Sequence, residues 1–307
     1  MPLKKRLLRF TIDIPTGTDG STTRVVLTEE LHLKARINKA ALAIQNTATL
    51  DIGGMSTTLR ELLLSNFTAW DKRKINQGNA VNYWADILVE AGYQEPGKEP
   101  ALSRVYKGQV VTVEMASPPP NVIITLQCFT RQADKTKFIS GAPPEGATFK
   151  ELVAWAARQM QFGDNFLCDT SHDNEVIPNA FRGLAVVSAL LIEIQGYYSA
   201  DVTAFIDDDF LYVKDRDKVV NPSDIVTLKE FVGMPVWQEW GVQFKTLFDP
   251  NLRLAHAARL VSKMNPTVND MDYLIYTIQY DLASRDTPFY VQCLASPPSG
   301  TVVRDVQ

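Results

Sequence analysis

The stretch MDYLIYTIQYDLASRDTPFYVQCLA, residues 271–295, decides how this chain folds. Tyr273, Ile275 and Thr277 alternate with Leu274, Tyr276 and Ile278; Ser284-Arg285-Asp286-Thr287-Pro288 then interrupts, and Phe289, Val291 and Cys293 resume the alternation. Two runs of period two on either side of a polar, proline-containing turn predict a β-hairpin. Large side chains on both faces of the first run predict a strand packed between two surfaces. A lone hairpin is marginal in water, so its partner strands must come from far earlier in the chain.

The first 131 residues supply such strands. Leu7 to Ile14 and Thr23 to Leu27 read as strands around the turn-rich Pro15-Thr16-Gly17-Thr18-Asp19-Gly20. Leu31, Leu33, Ala35 and Ile37 alternate, while Ala40 to Ile44 fits strand or helix. Ala48, Leu50 and Ile52 share one strand face up to Gly53-Gly54. Ser56 can cap a short helix carrying Leu59, Leu62 and Leu63 as one apolar stripe. Three further strands are expected: Val81 to Val89, stopped by Gly92; Ser103 to Met115; and Val122 to Phe129, after Pro118-Pro119-Pro120.

The character changes after Arg131. Thr148 and Glu151 form a capping box for a helix whose apolar face holds Phe149, Leu152, Val153, Ala156 and Met160. A second helix, Phe181 to Ile194, is apolar nearly all round and reads as buried. Val202 to Ile206 and Phe210 to Val213 then form a hairpin about Asp207-Asp208-Asp209. Strand signals return at Thr227, Leu228 and Phe231, at Val242 to Phe248, at Leu260 to Lys263, and in the closing hairpin. The expected class is α+β, mainly β. It divides as a first β domain (1–131), a second, discontinuous β domain (132–145 plus 226–307) and an inserted small α/β domain (146–225).

Composition narrows function. The formal net charge of −4 over 307 residues leaves no excess of Lys and Arg for nonspecific adhesion to nucleic acid. The Lys4-Lys5-Arg6 run is a solvated tip on this reading. Cys128, Cys168 and Cys293 are far apart and odd in number, which reads as buried thiols in a reducing compartment. The chain opens without a signal-peptide pattern, and its longest apolar run, Gly183 to Ile192, is about half of the roughly 20 residues a bilayer span needs.

No catalytic, cofactor or metal constellation emerges. Asp207, Asp208 and Asp209 lack the spaced ligands of a calcium loop and read as turn residues. Asp169 to Glu175, with His172 and Asp173, lacks a second histidine at a ligand spacing and reads as a solvated loop. His32 and His256 stand in alternating or apolar surroundings. Gly53-Gly54-Met55-Ser56 resembles a nucleophile elbow in composition only. No phosphate-binding glycine loop occurs. Trp237 and Trp240 beside Pro235 could stack on a sugar or a partner, or simply pack.

The order and spacing of several segments are specific. NTATLDIGGMS (46–56), the helix at Leu59 to Leu64, the strand ending Glu90-Ala91-Gly92-Tyr93, and VYKGQV (105–110) resemble the N-terminal tube domain of baseplate central hub proteins of contractile-tailed bacteriophages. VGMP (232–235), GVQF (241–244), LFDP (247–250) and YDLASRDTPFY (280–290) resemble the second tube domain of that family. The resemblance implies two tail-tube-like β-barrel or sheet domains per chain and a homotrimer. Its ring would adapt the hexameric tail tube to the trimeric central spike, with tail tube or tube-initiator proteins, and the tape measure protein, as neighbours. DNA would pass through the lumen without specific binding, past a wall expected to be acidic. The resemblance places the protein in the virion tail baseplate, and in the host cytoplasm during assembly, and implies no enzyme activity and no cofactor. The alternatives are a tail-associated cell-wall hydrolase and a tail tube or tube-initiator subunit.

Overall fold

The period-two runs become long antiparallel strands in the computed structural model, which describes residues 4–15, 21–41, 45–67, 84–117, 122–177 and 186–297. The backbone divides into two compact units. One comprises Met1–Asn38, Gln45–Lys137 and Tyr280–Phe289; the other comprises Lys39–Ile44, Phe138–Gln279 and Tyr290–Gln307. The fold is α+β and mainly β, as the alternation implied.

Seven strands build the sheet of the first unit: β1 (Lys5–Pro15), β2 (Thr22–Leu27), β3 (His32–Ala40), β4 (Thr47–Gly53), β5 (Ala85–Gln94), β6 (Ala101–Ser117) and β7 (Ile123–Phe129). They lie in the order β2-β1-β5-β6-β7-β4-β3, and every pairing is antiparallel. On β1 the alternation sends Leu8, Phe10, Ile12 and Ile14 into the core, each fully buried, while Arg9, Thr11 and Asp13 face out. Each such apolar side chain contributes about 1.5–3 kcal/mol by leaving water. Helix α1 (Thr57–Phe67) begins where Ser56 Oγ accepts the Leu59 N–H at 3.4 Å, and it buries Leu63 and Phe67.

The closing hairpin forms from β15 (Asp272–Ala283) and β16 (Phe289–Ser296). Tyr273, Leu274 and Ile275 are buried in succession, so both faces of β15 are covered there. Its tip belongs to the first unit and is fixed there by Ser284. The Ser284 N–H donates to the Leu33 carbonyl at 2.9 Å, the Leu33 N–H donates to Ser284 Oγ at 3.0 Å, and Oγ donates to the Leu31 carbonyl at 2.8 Å. Arg6 donates to the carbonyls of Asp286 and Thr287 and lies over the Phe289 ring, which meets Tyr93 edge to face.

The second unit has its own small core. Helix α2 (Phe149–Gln159) starts with the expected capping box, Thr148 Oγ1 accepting from Glu151 N–H and Glu151 accepting from Thr148 N–H. It buries Phe149, Leu152, Val153 and Ala156 against α3 (Ser188–Tyr197) and a sheet ordered β8-β10-β9. In that sheet β10 (Phe210–Asp215) runs antiparallel to β9 (Val202–Asp207) and parallel to β8 (Phe166–Asp169). The remaining ladders pair β11 (Val226–Leu228) with β14 (Ala257–Leu260), β14 with β15, β12 (Val236–Gln238) with β13 (Gly241–Leu247), and β13 with β16.

Several boundaries differ from the sequence reading. The second helix runs Ser188–Tyr197 and is only half-buried: Leu190, Leu191 and Ile194 face in and Ile192 faces solvent. Its expected start at residues 181–185 lies outside the described residues, as do residues 81–83, 16–20, 42–44 and the three prolines at 118–120. The strand expected at Leu260 to Lys263 is Ala257–Leu260, because the buried Ala257 and Ala258 are small enough to disguise a strand face. Phe231 lies beyond β11, and its ring meets Phe244 edge to face. Strand β8 and edge strand β12 were not foreseen, being four and three residues long.

Gly92 was expected to end β5, yet the strand continues to Gln94. The glycine serves close approach: a Cβ there would stand 1.7 Å from the Ala101 carbonyl oxygen on β6. Gly92→Ala should therefore cost at least about 2 kcal/mol by forcing the two strands apart. Calorimetry of the variant reads this directly; an unchanged unfolding midpoint would refute the close-approach assignment.

Candidate interaction surface

Exposed apolar side chains are concentrated in one part of the second unit. Seven of the twelve large exposed hydrophobic residues among those described lie between residues 232 and 264, including Met234, Val236, Trp240 and Met264. Singly exposed apolar residues are ordinary, whereas a cluster marks a contact surface. This stretch contains β12, which among the described residues pairs on one side only, with β13. An edge strand presents unpaired N–H and C=O groups, a template for another chain.

Local chemistry fixes this edge. The Pro235 carbonyl accepts from Asn265 Nδ2 at 2.9 Å, and Trp237 Nε1 donates to Thr267 Oγ1 at 3.0 Å while its ring meets Tyr273 edge to face. Gly241, at φ 137°, begins β13 in close approach to β16: a Cβ there would stand 2.2 Å from the Ala295 carbonyl oxygen. The two tryptophans diverge in role. Trp237 packs, while Trp240 is 73% exposed and offers its carbonyl to the Tyr276 hydroxyl at 3.1 Å.

The first unit presents a different surface. The outward residues of β1, β2, β5 and β6 form a charged groove in which Arg9, Arg24 and Lys107 balance Asp13, Asp86 and Glu90. Arg24 bonds Asp13 through both carboxylate oxygens at 2.7 and 3.0 Å, and Arg9 meets Glu90 at 2.7 Å. The Arg24 guanidinium holds the Asp13 carboxyl below its usual range. With three charges of each sign, this face offers a phosphate backbone no net attraction.

The acidic and histidine-containing segments are tied into structure. The cation between Asp207 and Asp208 is a lysine: Lys39, buried, places Nζ 2.6 Å from Asp207 Oδ1 and 3.1 Å from Asp208 Oδ1. Asp208 takes φ 53° at the β9–β10 turn, which an aspartate tolerates. In the loop after β8, Asp173 Oδ1 accepts from the Thr170 N–H and hydroxyl and from Cys168 Sγ. The Asp173 and Glu175 carbonyls accept the free N–H groups of Lys150 and Phe149 at the start of α2. His172 stacks on Tyr198 at 3.9 Å, its Nδ1 is 2.8 Å from Glu175 and its Nε2 is 3.7 Å from Asp201. The Glu175 hydrogen bond raises the His172 pKa, while burial and Glu175 push the Tyr198 hydroxyl up to about 12. The loop is thus a brace for α2.

The remaining candidates stay apart. Ser56 caps α1, His256 Nδ1 lies 3.0 Å from the Leu254 carbonyl, and His32 lies 3.7 Å from Asp286. Cys128, Cys168 and Cys293 are buried free thiols with raised pKa, burial being the main cause. Among the described residues no group of three or more His, Cys, Asp or Glu side chains could hold a metal ion, and no helix is long and apolar enough to cross a membrane.

Comparison with known proteins gives this geometry its context. A family model described as Baseplate hub gp41 matches residues 7–295. No curated protein matches the sequence. Among solved structures, the 43 kDa tail protein of prophage MuSo2 from Shewanella oneidensis aligns with TM-score 0.54 at 10% identity, covering 94% of this chain and 98% of that one. The tail protein from Neisseria meningitidis MC58 aligns with TM-score 0.56 at 8% identity over 93% and 96% of the two chains. The E. coli c3393 protein, a type VI secretion component similar to T4 bacteriophage tail proteins gp27 and gp5, aligns with TM-score 0.54 at 10% identity over 88% and 74%. At such identities the likeness establishes a shared fold.

Two measurements test the braces. Lys39→Met leaves two carboxylates without their ammonium partner; because both are partly solvated, the loss should be about 2–3 kcal/mol, below that of a fully buried pair. The double variant Lys39→Met/Asp207→Asn should recover part of it, and an unaltered denaturation curve for the single variant would dismiss the pair. For His172 the folded pKa exceeds the unfolded value of about 6.5, so its contribution is fully present below that pH and fades as pH rises through the folded pKa. Wild type should accordingly lose its advantage over His172→Gln progressively as pH rises above about 6.5. A pH-independent difference, or an NMR titration midpoint below that of a free histidine, would contradict the brace.

Proposed function

Because the chain belongs to the baseplate hub gp41 family and is a structural hub protein of the phage baseplate, we propose that three copies form a ring about the tail axis, adapting the hexameric tail tube to the trimeric central spike. The observation that carries this reading is the family match over residues 7–295, which embraces both units. Residues 1–131 and 132–145 plus 226–307 act as the two tube-like domains, so three chains present six such domains to a six-fold neighbour. Residues 146–225 form the insert, with its own buried core, standing outside the ring.

The work of such a protein is done by interfaces. An obligate ring contact buries about 2,000 Å² or more with an apolar centre. The exposed cluster around β12 supplies apolar surface of that kind. The partners are the central spike, the tail tube or tube-initiator proteins and the tape measure protein, with assembly in the host cytoplasm before incorporation into the virion. DNA crosses the lumen without specific binding, a role favoured by side chains that carry no excess positive charge. No enzymatic step is required of the chain: Ser56 caps a helix, and Asp207 and Asp208 are paired with Lys39.

Analytical ultracentrifugation of the purified protein, alone and with its spike, should show three copies per assembly. A single copy under both conditions would reject the ring. A zymogram on purified peptidoglycan should show no clearing, whereas clearing would favour the cell-wall hydrolase.

A further inference from the structure

A largely apolar pocket of about 270 Å³ opens beside Trp240, its lining drawn wholly from the second unit. Ala41, Ala255, Leu274 and Ile275 are buried in its wall. Hydrogen bonds between lining residues fix that wall. The Ala41 N–H donates to the Tyr276 carbonyl at 2.9 Å, Thr203 Oγ1 donates to the Ala41 carbonyl at 2.9 Å, and the Ala255 N–H donates to the Ile275 carbonyl at 2.8 Å. The Tyr276 hydroxyl donates to the Trp240 carbonyl at 3.1 Å.

One lining residue is unusual in such a cavity. Lys214, in β10, is only 2% exposed. A lysine ammonium has three N–H donors and needs a counterion or acceptors for all of them when it leaves water. Two of the three go to the carbonyls of Asp215 and Arg216, at 3.0 and 3.1 Å. Among the described residues it has no further hydrogen-bond partner and no paired carboxylate. Four other charged groups act around it. The Asp215 carboxylate accepts from the Ser171 N–H and hydroxyl, Lys218 pairs with Asp169, and Arg216 and Asp217 are exposed at the pocket. Burial pushes the Lys214 pKa down to about 8, opposed by the attraction of Asp217 and Asp215 and reinforced by the repulsion of Lys218.

The lining selects among ligands. Lys214 and Arg216 supply two cations against the single carboxylate of Asp217, which favours an anion. A phosphate or sulfate would leave oxygens facing the apolar wall without donors. A carboxylate has two oxygens to satisfy, and an apolar stem behind it replaces water along the wall. We infer that this pocket binds a small amphiphilic carboxylate, whose head takes the remaining Lys214 N–H in the field of Arg216 while its aliphatic or aromatic body lies against Leu274 and Tyr276. The site lies inside one unit, so the inference stands or falls independently of the ring proposed above.

Octanoate is the probe. Isothermal titration calorimetry of the full chain at pH 7 should show one octanoate per chain, bound at least roughly tenfold more tightly than octanol, which has the same stem without the charge. Its affinity should hold up to about pH 8 and then fall about tenfold per pH unit, as Lys214 loses the proton that the carboxylate needs. Lys214→Met keeps the stem and removes the charge. It should melt no lower than wild type and bind octanoate roughly tenfold or more weakly, with octanol binding unchanged. Octanol bound as tightly as octanoate, no saturable binding, or full octanoate affinity in Lys214→Met would each overturn the inference. Should that variant fail to fold, the octanol comparison and the pH profile decide alone, since both use the wild-type chain.

Discussion

Ser284 joins residues 251 positions apart: it pairs with Leu33 in both directions and offers its hydroxyl hydrogen to Leu31. That small network fixes where the last hairpin enters the sheet begun by the first strands. A one-residue slip there would turn Leu282 and Phe289, both buried, toward water, so the register is enforced by side-chain burial as well as by hydrogen bonds. Arg6 adds two further carbonyl contacts and a stacked ring at the same place. The sheet of the first unit is thus completed from the far end of the chain.

Charged residues hold the rest in place more than they prepare it for chemistry. Lys39 bridges Asp207 and Asp208 at a tight turn, and Asp173, His172 and Glu175 close the start of a helix whose first N–H groups need acceptors. Among the described residues, most of the large exposed apolar side chains fall between residues 232 and 264, the stretch that contains the short strand β12.

Much of this was legible in the residues. Alternation at 7–14, 46–52 and 271–295 announced strands because one face of each is buried, and Thr148 with Glu151 announced a helix start because both groups satisfy orphan donors locally. What escaped had physical reasons. Strand β8 pairs through four residues, too few to show a period, and the Ala257–Leu260 strand hides its face behind alanines. Gly92 looks like a stop in sequence, and only the Ala101 carbonyl across from it explains a glycine in mid-strand. The counterion of the aspartate turn could not be read locally, since Lys39 is 168 residues away from Asp207. The Trp240 pocket draws on Ala41, Leu274 and Ser296 at once, and no local pattern joins them.

The late arrival of residues 280–289 bears on how the protein is made. At about 5–20 residues per second, a ribosome needs roughly 10–30 seconds to travel from the end of β7 to this tip. Through that interval the N-terminal strands lack their closing piece, and β3 keeps an open flank able to pair wrongly with another nascent chain. Synthesis order thereby sets a waiting period before that flank is covered.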